Sequence, residues 1–263
     1  MPLQSDKANV FRSLHDRCFV IANAWDAGSA RVLAGLGFQA LATSSGAHAG
    51  TLGRRDGQVT REEALEHARA IVEATDLPVS ADFENCFADD PARAAETVRL
   101  AAEVGLAGCS IEDATRDKVY DFEHAVERVA AAARKSRLVL TARAENFVRG
   151  RPDLEDTIKR LQAFEKAGAD VLMAPGLPDL ESVRKVCAAL SKPFNFMAGI
   201  KGKSFSVRDL EAAGARRVSL ATSLWRAAMS DFINAAREVR EKGTFGYLDR
   251  SLATPEITKH FPQ

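Results

Sequence analysis

Eight short apolar runs, rich in β-branched residues, recur along the chain and alternate with longer stretches of helical periodicity. Runs that stay apolar throughout predict strands buried on both faces, as in a parallel sheet covered by helices. The stretches between them are rich in Ala, Glu and Arg and predict amphipathic helices. The predicted strands are Phe19–Ala24, Ala40–Ser45, Pro78–Phe83, Gly108–Asp113, Leu138–Arg143, Asp170–Pro175, Pro193–Ala198 and Arg217–Thr222, and the predicted helices include Arg61–Thr75, Pro91–Val104, Glu123–Lys135, Asp153–Ala167, Leu180–Leu190 and Leu224–Glu241.

Four glycines, Gly37, Gly105, Gly168 and Gly214, stand a few residues before the second, fourth, sixth and eighth predicted strands. Each is placed where a helix ends and a left-handed residue is needed, which glycine adopts at low cost. Strict alternation of strand and helix predicts parallel strands joined by right-handed crossovers. An open doubly wound sheet is the alternative fold. Eight units without a GxGxxG motif after the first strand favour a closed (β/α)8 barrel, known as a TIM barrel.

The chain of 263 residues is long enough for one such barrel, which needs about 250 residues. We predict a barrel domain over residues 1–241, with Leu224–Glu241 as its eighth helix, and a C-terminal extension over 242–263. The extension contains no predicted strand but many apolar residues, so it needs a further surface to cover it. We therefore predict a homo-oligomer, either a dimer or a tetramer. The apolar residues of the extension are Phe245, Tyr247, Leu248, Leu252, Ile257 and Phe261.

Charge and composition narrow the range of partners. Thirty-six basic residues balance thirty-six acidic ones, which argues against a nucleic-acid or membrane-surface partner. The four cysteines are scattered and form no metal-binding or redox spacing. The polar N-terminal residues contain no signal sequence, and no run of 18 apolar residues occurs. These features predict a reduced, soluble, cytoplasmic protein that binds neither nucleic acid nor membrane.

Polar side chains cluster at the ends of three neighbouring predicted strands. Asp82 and Glu84 are two residues apart at the end of strand three, Glu112 ends strand four, and Arg143 ends strand five. Active sites of (β/α)8 barrels lie at these carboxyl ends. Crowded carboxylates indicate a hard cation, Mg²⁺ with Mn²⁺ as a substitute, although pairing of the acids with Arg143 alone is the alternative. The strand ends deliver up to five carboxylates in all, from Asp82, Glu84, Glu112, Asp113 and Glu145.

Small and polar residues elsewhere are further candidates for substrate binding. Backbone N–H groups at Ser44, Ser45 and Gly46, after strand two, could approach an anionic oxygen, or these residues form only a tight turn. Asn195 in strand seven points into the barrel mouth or is a hydrogen-bonded interior amide. The spacing leaves open whether Asp56 and His48 act at the site or lie in a loop.

Five short motifs together are specific in their order and spacing. They are NAWDAGSARVL at strand one, TSSG with Asp56 downstream, ADFEN, SIED and ARAENF. In this order the sequence resembles the isocitrate lyase/phosphoenolpyruvate mutase superfamily over nearly its whole length. The resemblance implies a metal-dependent enzyme that breaks a C–C or C–P bond and forms a metal-bound enolate of pyruvate. It also implies paired subunits that exchange C-terminal helices and form tetramers.

The resemblance implies roles for individual residues. Asp82 matches a metal ligand, and Glu84 and Glu112 match groups in or next to the metal's coordination sphere. Arg143 matches a clamp for a substrate carboxylate, a role that suits the bidentate guanidinium. The remaining matches are Asp56, an acid near the reacting end of the substrate, and the backbone of Ser44, Ser45 and Gly46, which binds the enolate oxygen and a carboxylate.

The loop after strand four departs from the family pattern. Isocitrate and methylisocitrate lyases carry K-[KR]-C-G-H there, whereas this chain has DATRDKVYDFEHA, with neither that cysteine nor that histidine. Phosphoenolpyruvate mutases and phosphonopyruvate hydrolases carry a lysine and an asparagine. Lys118 stands at a similar distance and is our candidate catalytic lysine, but Tyr120 and Asp121 replace the asparagine. The short lid suits a small substrate.

We predict a Mg²⁺-dependent lyase or hydrolase that cleaves a C–C bond of a small 2-oxo or 2-hydroxy carboxylic acid resembling oxaloacetate. A C–P bond enzyme of the mutase or phosphonopyruvate hydrolase type is the alternative. A ligand-binding barrel without lid chemistry is the non-enzymatic alternative. A Schiff-base aldolase is disfavoured, because none of the eight predicted strands carries a lysine in its body or at its end.

Overall fold

The computed structural model describes residues 4–134, 137–203 and 205–261, and these form a closed barrel. Each strand pairs in parallel with the next, and the eighth closes the ring by pairing with the first. The predicted (β/α)8 barrel is thus confirmed and the open sheet is excluded. The strands are β1 Phe19–Asn23, β2 Leu41–Ala42, β3 Val79–Ala81, β4 Gly108–Glu112, β5 Val139–Arg143, β6 Val171–Met173, β7 Phe194–Met197 and β8 Arg217–Ser219.

Most of the helices begin at a residue whose side chain caps the free N–H groups of the first turn. Thr60 and Glu63 form a reciprocal capping box, and Asp90 accepts from the N–H of Arg93 just after Pro91 fixes the first helical turn. The predicted helix end at Lys135 lies outside the described residues. The helices are α1 Gln4–Ser13, α2 Ala27–Gly35, α3 Ser45–Thr51, α4 Arg61–Ala74, α5 Pro91–Glu103, α6 Phe122–Arg134, α7 Leu154–Lys166, α8 Leu180–Ala188, α9 Val207–Ala212, α10 Ser223–Lys242 and α11 Thr254–Thr258.

The four glycines predicted at helix ends all adopt left-handed backbone angles. Their φ values run from +88° at Gly105 to +109° at Gly168, in a region that residues with a Cβ rarely enter. Gly214 is also packed closely, because a Cβ there would lie 2.7 Å from the Cβ of Cys187. The prediction that these four glycines end helices is therefore confirmed.

An apolar plug closes the amino-terminal end of the barrel. Phe19, Val139 and Val171 are the first residues of their strands and pack with Phe11 of α1, which is fully buried. The ring of Phe11 approaches Gly108 so closely that only a glycine fits there. Helix α1 therefore seals the bottom of the barrel, and access to its interior is from the carboxyl ends of the strands.

Replacing Gly108 with alanine tests this seal. The added Cβ would lie 2.8 Å from both Cε1 of Phe11 and the carbonyl oxygen of Val139. We expect the free energy of unfolding to fall by about 1–3 kcal/mol, measured by urea denaturation. Gly28→Ala is the matched control, because its Cβ would meet nothing closer than 3.5 Å. Equal stability of the two variants would contradict the packing of α1 against β4.

Helix α10 follows β8 but does not serve as a buried wall helix. None of its residues is buried, and Phe232 is 63% exposed. Leu224–Glu241, predicted as the eighth barrel helix, therefore adds no fully buried residue to the core of the single chain, although Leu224 packs against that core. Its first turn does touch the barrel, where Trp225 lies against Gly50. None of the helices in the described ranges has both the length and the apolar character needed to span a membrane.

The C-terminal extension lies along α10 and returns towards the barrel. A 3-10 turn at Gly246–Arg250 packs on α10, and His260 contacts Gly35 at the end of α2. Its apolar residues nevertheless remain open to solvent. The exposed fractions are 57% for Phe245, 58% for Leu248, 64% for Leu252, 42% for Ile257 and 37% for Phe261.

Candidate functional site

The lumen of the barrel opens at the carboxyl ends of the strands into a cavity of about 280 Å³. Residues from all eight strands, or from the residues that follow them, contribute to its lining. Most of the residues proposed from the sequence line this cavity, whereas Glu84 and Lys118 do not. The predicted residues in its wall are Ser44, Ser45, Gly46, Asp56, Asp82, Glu112, Arg143 and Asn195.

Arg143, the last residue of β5, lies at the centre of the cavity rim. Its guanidinium contacts three carboxylates at once. Nη1 lies 3.0 Å from Oδ1 of Asp82, Nη2 lies 2.9 Å from Oε1 of Glu112, and Nε lies 2.8 Å from Oε1 of Glu145. Burial acts to lower the pKa of Arg143, but these carboxylates outweigh it and raise the pKa. The group is therefore permanently charged.

Asp82, the first residue after β3, is held in one orientation by four donors. Oδ2 accepts from the backbone N–H of Ser45 at 3.3 Å and from its hydroxyl at 3.0 Å. Oδ1 accepts from the Ser110 hydroxyl at 3.2 Å and from Arg143 at 3.0 Å. The end of β3 therefore presents a carboxylate in a fixed orientation to the cavity.

Glu112 is shared between two arginines. Its Oε1 contacts Arg143, and its Oε2 accepts from Nη2 of Arg149 at 3.2 Å. Burial raises the pKa of Glu112, while the two guanidiniums act against that shift. Arg149 was not among the residues predicted from the sequence. It lies in the 3-10 turn Asn146–Arg149 that follows β5, and no motif indicated that this turn bends back over the rim.

Glu84 is not part of a strand, which corrects the reasoning that placed it there. β3 ends at Ala81, and Glu84 has a left-handed φ of +50°, so strand alternation does not align it with Asp82. It lines the crevice beside the main cavity, next to Gly57. Burial, followed by the charges of Asp56 and Asp82, raises the pKa of Glu84 to about 7.

A buried arginine holds the loop that carries Glu84. Arg128 of α6 donates to the backbone carbonyls of Asn85, Ala88 and Asp89, and its guanidinium lies over the ring of Tyr120. Three non-glycine residues of this loop have left-handed φ values, which cost free energy unless other contacts hold them. Arg128 supplies such contacts. The three residues are Glu84, Cys86 and Phe87.

Asp56 faces the start of α3 at the cavity mouth. A Cβ on Gly46 would lie 3.3 Å from its carboxylate. Partial burial, together with the charge of Asp82, raises the pKa of Asp56, although much of the residue remains open to solvent. Asp56 therefore lies next to the residues that the sequence proposed as a binding site for an anionic oxygen.

Ser44, Ser45 and Gly46 begin a short helix, α3, that the sequence did not predict. Ser44 is its N-cap and accepts from the N–H of Ala47 at 3.3 Å, so the Ser44 hydroxyl is engaged in the fold. The N–H of Ser45 already donates to Asp82. The Ser44 hydroxyl therefore caps α3, and all three residues contribute to the lining of the cavity.

Asp113 does not belong to the rim, contrary to the expectation that up to five carboxylates gather there. It follows Glu112 in the chain and therefore points to the opposite side. Its carboxylate pairs with Arg160 at 3.1 Å and accepts from the N–H of Glu145 at 2.8 Å. Burial raises the pKa of Asp113 to about 6. The residue positions the β5 end rather than lining the cavity.

Three other candidates lie away from the reacting rim. Asn195 is buried, accepts from Arg217 and donates to Ser219, so it is a hydrogen-bonded interior amide that also lines the cavity. His48 stacks on His67, with ring centroids 3.7 Å apart, in a small crevice that Asp82 and Glu84 also line. Lys118 is exposed in a tight loop closed by an antiparallel bridge between Ala114 and Val119. The structure does not bring Lys118 to the cavity.

The rim has an excess of negative charge. Asp56, Asp82, Glu112 and Glu145 line the cavity mouth, with Glu84 just behind them, against the two guanidiniums of Arg143 and Arg149. Within the described ranges, no three acidic, histidine or cysteine side chains converge closely enough to hold a metal on their own. Mg²⁺ needs only one or two carboxylates, because it keeps several waters. Asp82 with one neighbouring carboxylate would be enough for that ion, although Asp82, Glu84 and Glu112 do not form a three-carboxylate site among the described residues.

The raised pKa of Glu84 leads to a prediction for the metal-free protein. The folded state keeps this proton up to about pH 7, while the unfolded state loses it near pH 4.5, so the free energy of unfolding should fall as the pH rises between those values. We expect this decrease to be smaller in the Glu84→Gln variant, by on the order of 1–2 kcal/mol. Denaturant unfolding from pH 5 to pH 8 in EDTA measures it. A pH dependence unchanged by the substitution would contradict the crowding of carboxylates at the rim.

Comparison with known proteins identifies the family. The sequence profile of the phosphoenolpyruvate phosphomutase family matches residues 11–240. A candidate lyase/mutase of known structure from Burkholderia cenocepacia J2315 is 46% identical, with a TM-score of 0.95 over 99% of this chain and 98% of that chain. Probable 2-methylisocitrate lyase 1 of Corynebacterium glutamicum is 30% identical over 238 residues, 84% of this chain and 77% of the relative. Oxaloacetate decarboxylase of Chromohalobacter salexigens is 27% identical over 252 residues, 91% of this chain and 88% of the relative. The chain therefore belongs to the phosphoenolpyruvate mutase family of the isocitrate lyase/phosphoenolpyruvate mutase superfamily, which contains lyases and mutases.

Proposed function

We propose that this protein is a Mg²⁺-dependent lyase or hydrolase that cleaves a C–C bond of a small 2-oxo or 2-hydroxy carboxylic acid, with oxaloacetate as the first candidate. The observation that carries the proposal is the acidic rim around Arg143, open to a cavity of about 280 Å³. Similarity to a protein named oxaloacetate decarboxylase supports the choice of substrate. The family resemblance supports an enolate as the product of bond cleavage.

Asp82 and its neighbours would hold the cation. Four hydrogen bonds fix the Asp82 carboxylate, Glu112 shares Arg143 with it, and Glu84 lines the adjacent crevice. A bound Mg²⁺ supplies Lewis-acid stabilisation of the charge that develops on the 2-oxo group. It also offsets the negative charge of the rim, which would otherwise repel a carboxylate substrate.

Arg143 and the start of α3 would orient the substrate. The Arg143 guanidinium can clamp a carboxylate in two-point geometry once one of its present acidic partners turns to the cation. The backbone N–H of Gly46 would then lie near the charge that develops on the substrate, whereas the N–H of Ser45 is engaged by Asp82. Asp56 is suited to exchange a proton at its carboxylate with the reacting carbon, because its pKa is raised and it lies beside Gly46.

The loop after β4 supports a small substrate. It joins Glu112 of β4 to Phe122 of α6 and folds on itself through the Ala114–Val119 bridge, with Lys118 exposed at its tip. No cysteine or histidine in it is available for the chemistry of isocitrate lyases. Lys118 does not line the cavity, so we propose that a catalytic role for Lys118 requires this loop to close over it.

A C–P bond reaction on phosphonopyruvate is the second candidate. The matching family profile is that of phosphoenolpyruvate phosphomutase, and Arg149 adds a second cation to the rim that a phosphono group could contact. The pairing of Arg149 with Glu112 weakens this candidate, because that charge is already partly balanced.

A screen of 2-oxo and 2-hydroxy acids tests the proposed function. Each acid is incubated with Mg²⁺ and with EDTA, and pyruvate and oxalate release are measured. We expect turnover of oxaloacetate or a similarly small acid, and negligible cleavage of isocitrate and 2-methylisocitrate. A kcat/KM for isocitrate of about 10⁴ M⁻¹s⁻¹ or more would overturn the preference for small acids. Absence of Mg²⁺-dependent turnover of every acid would favour the ligand-binding barrel.

We also propose that the protein is a homo-oligomer assembled through α10 and the extension. The apolar residues of these segments are exposed in the single chain, and a second copy is the simplest surface to cover them. Light scattering at micromolar concentration should give a multiple of 28.4 kDa, two-fold or four-fold. Truncation after Lys242 should shift the mass towards the monomer. A mass near 28.4 kDa for the full chain would contradict this interface.

A further inference from the structure

An arginine lies inside the barrel, beneath the rim. Arg217 is the first residue of β8, is only 4% exposed, and contributes to the lining of the central cavity. Its Nε donates to Oδ1 of Asn195 at 3.0 Å, and its Nη2 donates to the Thr141 hydroxyl at 2.8 Å. Its Nη1 lies 3.4 Å from Nε2 of His15. Across the described part of the chain, no carboxylate forms a salt bridge with Arg217.

Arg217 shares this lack of a carboxylate partner with Arg128, whereas Arg143 and Arg160 each contact carboxylates. Arg128 is bound by three backbone carbonyls, while Arg217 has two side-chain oxygens, one imidazole nitrogen and the ring of Phe11, whose centroid lies 5.7 Å away. Burial lowers the pKa of Arg217 to about 9, so it remains a cation at neutral pH. His15 is neutral and supplies no counter-charge, because burial and the charge of Arg217 lower its pKa to about 3. A buried cation without a counter-ion is costly unless an anion joins it.

The guanidinium also has spare donors. Three of its five N–H groups face protein acceptors, which leaves two without one among the described residues. The lumen around it is lined by hydroxyl and amide side chains beside apolar ones such as Ile21, Ala42 and Met173, whereas the interior of such a barrel is usually filled with bulky branched side chains. An open lumen with several hydroxyl and amide groups beside a cation that has no carboxylate partner has the character of an anion-binding site. The polar residues that line it are Asn23, Ser80, Ser110, Thr141, Asn195 and Ser219.

The depth of this site matches the length of a small dicarboxylic acid. Thr141, which Arg217 contacts, lies two residues before Arg143 on β5, and both face the cavity. Two residues along a strand correspond to about 6.6 Å. A four-carbon dicarboxylate is long enough to place one carboxylate at the rim and direct the other towards this floor.

We propose that the lumen beneath the rim is an anion-binding subsite in which Arg217, with Thr141, binds the second carboxylate of a dicarboxylic substrate. The subsite would then select dicarboxylic over monocarboxylic acids of the same length. This assignment rests on the proposed function for the chemistry at the rim, but the anion binding itself can be measured without any reaction.

Calorimetry with unreactive probes tests the subsite. Succinate and butyrate share a four-carbon chain and differ in the second carboxylate, and each is titrated into the Mg²⁺-loaded protein. We expect succinate to bind the native protein at least about 10-fold more tightly than butyrate, and Arg217→Met to abolish that difference. Arg217→Lys, which keeps the charge but loses the planar fork, should retain part of it. It also serves as the second variant if Arg217→Met does not fold.

Thermal unfolding without ligand separates binding from a structural role. Because Arg217→Met removes an unpaired buried charge, its Tm should be equal to or above that of the native protein. A lowered Tm with the succinate preference unchanged would mean that Arg217 only supports the fold, and would overturn the proposal. Chloride titration distinguishes a free inorganic anion from a substrate carboxylate. Arg217-dependent chloride binding without any preference for succinate would also overturn it. Neither probe is cleaved, so these results are independent of the substrate screen.

Discussion

Replacing Asp82 with asparagine is expected to lower kcat by roughly 10²–10³-fold and to abolish Mg²⁺ binding, while leaving the fold intact. The change removes the charge that the four donors around Asp82 orient towards the cavity. An interaction that stabilises developing charge is typically worth about 3–4 kcal/mol in the transition state, which corresponds to that loss of rate. Steady-state kinetics and calorimetric titration with Mg²⁺ measure the two effects.

Asp90→Asn is the matched control for this experiment. Asp90 follows the same strand but caps α5 through the N–H of Arg93, and asparagine caps helices about as well as aspartate. Its kcat and Mg²⁺ affinity should equal those of the native protein. Equal Mg²⁺ binding by Asp82→Asn and Asp90→Asn would remove Asp82 from the metal site.

Replacing Arg143 with methionine should have the largest effect on stability. The substitution leaves Asp82, Glu112 and Glu145 close together without their shared cation. Loss of one partner from a buried ionic cluster typically costs about 3–5 kcal/mol. The loss should be greatest at high pH and shrink as pH falls, because the unpaired carboxylates would take up protons in the folded state. Activity should fall with it, since the substrate clamp is removed.

Arg99→Met controls for the loss of an arginine that binds two carboxylates. Arg99 on α5 contacts Glu96 and Glu103, as Arg143 contacts its own acids, but at the protein surface. Exposed ion pairs contribute little to stability because water solvates and screens them. Urea denaturation should therefore separate the two variants clearly. Equal unfolding midpoints for Arg143→Met and Arg99→Met would contradict the buried cluster.

The barrel and the position of its site follow from local pattern, whereas the direction of each side chain does not. Continuous apolar runs and helix-ending glycines predict parallel strands, and the carboxyl ends of parallel strands meet at one rim. Neighbours such as Glu112 and Asp113 point to opposite sides, and the sequence does not tell which of them faces inward. Glu84 was predicted as a site residue but placed wrongly on the strand, because its left-handed backbone depends on contacts from Arg128, far away in the chain.

Two features had weaker signals in the sequence. Arg217 opens a strand that was predicted to be buried on both faces, and a charged residue at such a position is itself a sign of a binding role or a buried pair. The exposure of α10 was not visible in its periodicity, because an amphipathic helix looks the same whether its apolar face meets its own barrel or another subunit.

The most direct test of the central claim is a proton NMR time course of oxaloacetate with the enzyme, recorded with Mg²⁺ and again with EDTA. Free Mg²⁺ and the Asp82→Asn variant serve as blanks, because metal ions alone promote decarboxylation of this acid. We predict Mg²⁺-dependent formation of pyruvate, or of acetate with oxalate, well above both blanks, and its loss in EDTA. Rates equal to the blanks for oxaloacetate, together with turnover that persists in EDTA for any other acid, would contradict a metal-dependent site at this rim.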